Sequence, residues 1–206
     1  AWLAAISNAR RRILFESYII GNDDVGREFV TALARKAREG VRVYAIFDWL
    51  GSWRASALWS MLRDAGVELH VFNPPRFGSP LGWLSRDRRK MIAIDGAVGF
   101  VSGLGVSQEW LGKPERRLER WRDTGVEIRG PAVAALERAF AQVWRASGDS
   151  ALSSDLLQPE ASALKVGNTR VRVVSGVPNA TGTLRLDLVI AAIAHHHLWL
   201  TDAYFV

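Results

Sequence analysis

Apolar residues recur along the chain first at helical and then at strand spacing, and the alternation repeats. Trp2 to Arg12 carries an amphipathic pattern ending in Arg10-Arg11-Arg12, charges that suit the negative end of a helix dipole. Ile13 to Ile20 predicts a strand. Gly21-Asn22-Asp23-Asp24 predicts a turn with Asp24 as N-cap, and Phe29, Val30, Leu33 and Ala37 form the stripe of a helix closed by Gly40. Val41 to Asp48 is the next strand, so strand, helix and strand follow at the spacing of a right-handed crossover with parallel pairing. Leu58, Met61, Leu62 and Ala65 mark a helix closed by Gly66, and Glu68 to Phe72 supplies a third strand.

Met91 to Ile94 and Val98 to Ser102 are two apolar runs joined by Asp95-Gly96, a dipeptide that favours a tight hairpin. Added to the parallel strands, the hairpin predicts an α/β domain with a mixed sheet flanked by helices. A further strand lies in W-R-D-T-G-V-E-I-R, and Gly130-Pro131 opens a helix with Val133, Leu136, Phe140, Val143 and Trp144 on its apolar face. Residues 147–167 lack periodicity and read as a linker. Beyond it, Thr169 to Ser175 predicts a strand, Thr183 to Ala194 a helix, and Leu198 to Val206 a strand.

Glu16-Ser17-Tyr18-Ile19 aligns with Asp202-Ala203-Tyr204-Phe205 at an offset of 186 residues, each time after a helix. That is the pattern of a two-repeat protein cut early in its second repeat. Residues 1–146 then form the first repeat and 168–206 the start of a second. The chain opens on Ala1 and closes on Val206 inside an apolar run, and it reads as a fragment of a longer polypeptide.

Composition narrows the partners. A net charge of +6 favours anionic ones, phospholipid headgroups or nucleic acid alike, and nine tryptophans suit either a core or a membrane interface. With no cysteine there is neither a disulfide framework nor a thiolate zinc site. His195, His196 and His197 are consecutive at the end of a helix, where imidazolium charge suits the dipole, and no metal or other cofactor is expected. No apolar run reaches the roughly 20 residues of a spanning helix, so membrane contact is expected to be peripheral.

Candidate chemistry concentrates between Ser85 and Ser107. Lys90 precedes the first hairpin strand, and Ser102, Gly103 and Gly105 follow the second, so an ammonium and backbone amides converge at one end of the ladder, as an anion site requires. The plainer reading is an edge hairpin whose Arg86, Arg88, Arg89 and Lys90 are a solvated charged entry. The preceding loop, residues 73–85, carries Phe77 and Trp83; it is either a lipid-facing rim or a loop tucked over the sheet, and Trp49 and Trp53 could join it.

The motif order resembles the phospholipase D superfamily, in particular bacterial cardiolipin synthases. That family carries His-x-Lys-x4-Asp followed by a Gly/Ser turn ending in Asn, once in each of two repeats. By this resemblance Lys90 and Asp95 are the motif Lys and Asp, Ser102-Gly103-Leu104 is the turn, and Asp123, ahead of Gly130-Pro131, matches the acidic residue that orients the family's histidine. The His position is Arg88 and the Asn position Gly105. Arginine stays protonated with no free lone pair, so it can hold a phosphate but neither attack one nor act as a base. Arg88 is expected to pair with Asp123 or, failing that, Asp123 to cap a local turn.

The resemblance implies a phosphatidyltransferase or phosphodiesterase acting on phospholipids, with Lys90, Asp95 and Asp123 catalytic and Arg88, Lys90, Ser102, Gly103 and Gly105 around the phosphate. This chain then supplies half of the site, at the cytoplasmic face of the inner membrane, and a second repeat of the same polypeptide supplies the rest. The alternative is an inactive module that binds anionic phospholipid. A nuclease-like nucleic-acid binder fits the charge but not the tryptophan-rich loop.

Overall fold

The computed structural model describes residues 1–75, 85–112, 119–148, 152, 165–176 and 182–199. Its centre is a six-stranded mixed sheet: β1 (Arg12–Ser17), β2 (Arg42–Asp48), β3 (Glu68–Phe72), β4 (Lys90–Ile94), β5 (Val98–Ser102) and β6 (Gly125–Arg129), in the order β3-β2-β1-β4-β5-β6. β1 pairs parallel with β2, and β2 with β3, while β4 runs antiparallel to β1 and begins the antiparallel half. Every residue of β1 is buried, as its place in mid-sheet demands.

Helices cover both faces. Ile13, Phe15, Val43, Ala45, Phe47, Ile92 and Ile94 meet α1 (Trp2–Asn8), α2 (Asp24–Arg38) and α4 (Ser56–Asp64). Leu14, Tyr44, Ile46, Met91 and Ala93 meet Leu136, Phe140 and Trp144 of α5 (Val133–Ser147). On the α5 side a buried ion pair joins β1 to α5: Arg12 donates from Nε and Nη2 to the two Glu137 oxygens at 2.9 and 2.8 Å. A short helix, α3 (Trp49–Ser52), leaves β2, and α6 (Gly182–Ile193) follows the first 180 residues with every described side chain on it exposed.

The hairpin forms as expected. Asp95 and Gly96 take φ of 55° and 70°, two successive left-handed residues that match the twist of the strands they join. Several boundaries move. α1 stops at Asn8, because the backbone of Arg10, Arg11 and Arg12 turns to donate all three N–H groups to the Asp95 carboxylate at 2.8 Å. The basic cluster therefore ends no helix. The α2 cap is Asp23, whose Oδ1 accepts from Gly26 N, rather than Asp24. Met61 is exposed on α4 rather than part of its stripe.

Residues 169–175 are not a strand. They run irregularly beside β6 with a cleft between, so no ladder satisfies their backbone. Most of the linker lies outside the described residues, as does residue 200 onward, where the last strand was expected. Among the described residues, no helix is long and apolar enough to cross a membrane.

Candidate phosphate site

One end of the sheet collects the groups that matter. β1 and β2 finish there at Ser17 and Asp48, Lys90 of β4 pairs with Ser17, and Ser102 of β5 pairs with Gly125 of β6. The Arg86-to-Arg89 segment enters at this end, the Ser102-to-Gly105 turn leaves it, and Asp123 stands at the start of β6.

Alternation along the entering segment sorts its side chains into two sets. Arg88 and Lys90 face Tyr18: the Arg88 Cζ lies 5.9 Å and the Lys90 Nζ 5.7 Å from its ring centroid, within cation–π range. Lys90 Nζ also donates to the Arg88 carbonyl at 3.2 Å. Burial pushes the Lys90 pKa down and Arg88 adds to that, while Asp123 and Asp87 pull it back up. A half-buried ammonium in this setting has given up water that a phosphate oxygen can replace.

Asp87 and Arg89 face the other way, into the protein. Arg89 Nε donates to Glu16 Oε1 at 2.9 Å and lies 3.5 Å from Asp87 Oδ1, and its Nη2 reaches the Ala139 carbonyl at 3.1 Å. Beside them Asp48, fully buried, accepts from Arg86 Nη1 at 3.2 Å, from Asp87 N at 2.9 Å and from the Leu50 and Gly51 amides that open α3. Burial raises the Asp48 pKa against these donors.

Sequence-predicted site residues divide accordingly. Lys90, Arg88 and Asp123 come together with Gly103, whose Cα lies so close to the Asp123 carboxylate that a β-carbon there would meet Oδ1 at 2.1 Å. The expected Arg88–Asp123 ion pair does not form among the described residues. Arg88 lies over Tyr18, and Asp123 Oδ1 accepts from the adjacent Thr124 N at 2.7 Å, in an extended approach to β6 rather than in the local turn that was the other expectation.

The Gly103 and Leu104 amides are not free for an anion. Gly103 N donates to the Thr124 carbonyl at 3.2 Å, and Leu104 N donates to Ser102 Oγ at 2.9 Å. Gly105 is buried under Trp110, and a β-carbon there would fall 2.5 Å from that ring. Positive charge at this end therefore comes from side chains.

Asp95 is elsewhere. It sits in the hairpin turn, five strand residues or about 17 Å from Lys90, and its carboxylate is occupied by the Arg10, Arg11 and Arg12 amides. Phe77 and Trp83 lie outside the described residues. Of the other rim candidates, Trp49 packs against the core and stacks on Trp53, which is exposed and carries Arg54 at 5.3 Å from its ring.

Tyr18, Glu16, Asp48 and Asp87 were not singled out for the site from sequence. The one signal for Glu16 and Tyr18 was the repeat alignment of Glu16-to-Ile19, which spans the end of β1; Asp48 and Asp87 had none. Chemically, the cluster can hold and neutralise a phosphate. Among the described residues the cluster contains no histidine.

No protein-family model matches the chain. It is 36% identical to the cardiolipin synthase of Alkalihalophilus pseudofirmus over 209 residues, covering 99% of this chain and 41% of the relative. With the Geobacillus kaustophilus cardiolipin synthase it shares 38% over 208 residues, 98% of this chain and 41% of that one. With cardiolipin synthase A of Pseudomonas putida it shares 36% over 214 residues, 100% and 43%. The chain thus spans about two fifths of the length of the curated relatives it matches. Among solved structures, NucT from Helicobacter pylori superposes with a TM-score of 0.52 at 14% identity, over 70% of this chain and 85% of that one. The phosphatidylserine synthase of Haemophilus influenzae does so with 0.50 at 17%, over 66% and 32%. With the sheet, the hairpin motif and this likeness along nearly its whole length, the chain is a homologue of the bacterial cardiolipin synthases with a phospholipase D-like layered fold.

Proposed function

We propose that the chain forms half of the active site of a cardiolipin synthase-like phosphatidyltransferase, with Lys90 as its principal phosphate ligand. The observation that carries this reading is the half-buried Lys90 ammonium beside Arg88 and Asp123 at the strand ends, over Tyr18. In the reaction, one phosphatidyl group passes to the free hydroxyl of a second phosphatidylglycerol and glycerol leaves. Lys90 and Arg88 neutralise the phosphate oxygens as charge builds there. Arg88 cannot be the nucleophile, so the attacking histidine belongs to a second repeat of the same polypeptide.

The same end of the sheet favours a membrane surface as partner. Leu50, Trp53, Leu104, Leu111 and Trp121 are exposed around it, interleaved with Arg54, Arg88, Arg120 and Arg122. Indole rings and guanidinium groups together suit the headgroup layer of an anionic bilayer, as expected of a protein peripheral to the inner membrane.

The test is turnover of phosphatidylglycerol vesicles by the full-length protein, read as glycerol released and cardiolipin formed. Expected are slow turnover, a loss of at least about tenfold in Lys90→Ala, equivalent to one charge-assisted contact, and a gain in Arg88→His. Turnover unchanged in Lys90→Ala would remove the reading. Arg88 at the nucleophile position favours a second one, a module that holds anionic phospholipid without cleaving it. Vesicle binding that needs anionic lipid, with no turnover even in Arg88→His, would select that alternative.

A further inference from the structure

Directly behind the two cations lies a buried cluster that phosphate binding does not by itself call for. Glu16 is fully buried, Asp87 is 2% exposed, and the Arg89 guanidinium sits between them and α5. Arg89 holds both carboxyls: Nε reaches Glu16 Oε1 and Asp87 Oδ1, and the Arg89 backbone N–H donates to the same Asp87 oxygen at 3.3 Å. Glu16 Oε2 is buried and meets no donor, and Arg89 Nη1 is buried and meets no acceptor.

Two carboxylates and one guanidinium would leave this dry cluster with an uncompensated negative charge, which is costly away from water. One proton on the carboxyl pair makes it neutral and turns the idle Glu16 oxygen into a donor towards Asp87. Burial first, and then the Asp87 charge, hold the Glu16 pKa well above its ordinary value against the pull of Arg89. The other charged groups facing the cluster are Asp48, which accepts the Asp87 backbone N–H, Arg86 on Asp48, and Lys90 on the opposite face of the segment.

We propose that Glu16 is a positioning residue: with Asp87 and Arg89 it forms a buried, single-proton triad that fixes the direction in which Arg88 and Lys90 present their charges to a phosphate. The geometry works through alternation. Asp87 and Arg89 are clamped inward, and the residues between and after them must then point outward over Tyr18. When the shared proton is lost, Glu16 and Asp87 repel each other across Arg89, the clamp loosens, and the two cations lose their common aim. Anion affinity therefore falls as pH rises through the titration of Glu16. The inference rests on Lys90 being a phosphate ligand, as proposed above.

The test uses the full-length protein and two readouts. Binding of inorganic phosphate is titrated between pH 5 and 9 for the natural protein, Glu16→Gln and Glu16→Ala. The natural protein should lose affinity with rising pH by up to about tenfold per unit, the limit for one linked proton. Glu16→Gln, which keeps the shape and a permanent donor, should hold the low-pH affinity with a flattened slope, while Glu16→Ala should bind weakly throughout. Infrared spectroscopy reads the proton without any ligand: a protonated carboxylic acid band should be present at neutral pH and absent in Glu16→Gln. A pH profile in Glu16→Gln as steep as the natural one, or no such band in the natural protein, overturns the triad. If phosphate fails to bind at all while the band is present and Glu16-dependent, the phosphate reading of Lys90 fails and the single-proton pair stands.

Discussion

Asp95 offers the sharpest test of how far the motif resemblance reaches. By resemblance it belongs to the catalytic set, yet its carboxylate is saturated by three backbone N–H groups at 2.8 Å and its φ is 55°. Asp95→Ala deletes all three bonds. Each is charge-assisted but partly open to solvent, so about 1 kcal/mol apiece is a fair net value, roughly 3 kcal/mol together. Holding alanine in the left-handed region adds about 1 kcal/mol. The total, about 4 kcal/mol, is a large share of a typical 5–15 kcal/mol stability. It corresponds to a fall in Tm of roughly 8–16 °C for a domain of this size. Asp95→Asn keeps one acceptor oxygen and tolerates the backbone, and should cost about 1–2 kcal/mol. Urea unfolding of the three proteins gives the stabilities, and phosphate binding well below each Tm gives the site. If Asp95→Asn stays folded yet loses phosphate binding, or if Asp95→Ala costs under about 1 kcal/mol, the anchoring account is refuted.

Two further outcomes follow from buried or capping charges. Removing one partner of the Arg12–Glu137 pair, as in Glu137→Leu, should cost about 3–5 kcal/mol by urea unfolding, because Arg12 stays buried and charged; the double variant Arg12→Met with Glu137→Leu should recover most of it. For Asp23, burial alone would raise the pKa, but the Gln108 and Gly26 amides and the Ser107 hydroxyl outweigh it and the net shift is downward. Its contribution is therefore present above the ordinary carboxylate range and is lost as pH falls through the lowered value, so Asp23→Asn should flatten the acid limb of stability against pH and cost about 1 kcal/mol at neutral pH as a weakened cap.

Signals confined to one segment were legible in the sequence. Asp95-Gly96 fixed its own turn, and Gly40 and Gly66, each at φ 89°, closed the helices they were expected to close. What escaped were choices made by distant groups. Asn22-Asp23-Asp24 offers adjacent caps, and Asp23 wins because Gln108 N and Ser107 Oγ also bind it. Thr169 to Ser175 has strand-like alternation, but alternation cannot supply a hydrogen-bonded neighbour. At the site, the motif gave the order of Lys90, Asp95 and the turn without their separation, since a hairpin puts its two ends and its bend at opposite poles. Glu16 and Arg89 meet across more than seventy residues, beyond the reach of any local period.

The pairing of β1 with β4 divides the sheet into two runs of chain, each of which can assemble from contacts close in sequence: β1 to β3 with their helices, and β4 to α5. Closing the seam between them is the long-range step, and loop closure over that distance makes it the slow one. Besides the β1–β4 ladder and the apolar cores that span it, the seam is fastened by charge, through Asp95 on residues 10–12, Arg12 on Glu137, Arg89 on Glu16 and Arg86 on Asp48. Tyr18 belongs to one side of it and Arg88 and Lys90 to the other. The phosphate cluster therefore comes into being only when the halves join, and capture of an anion during refolding would serve as a clock for the last event in folding rather than for the first.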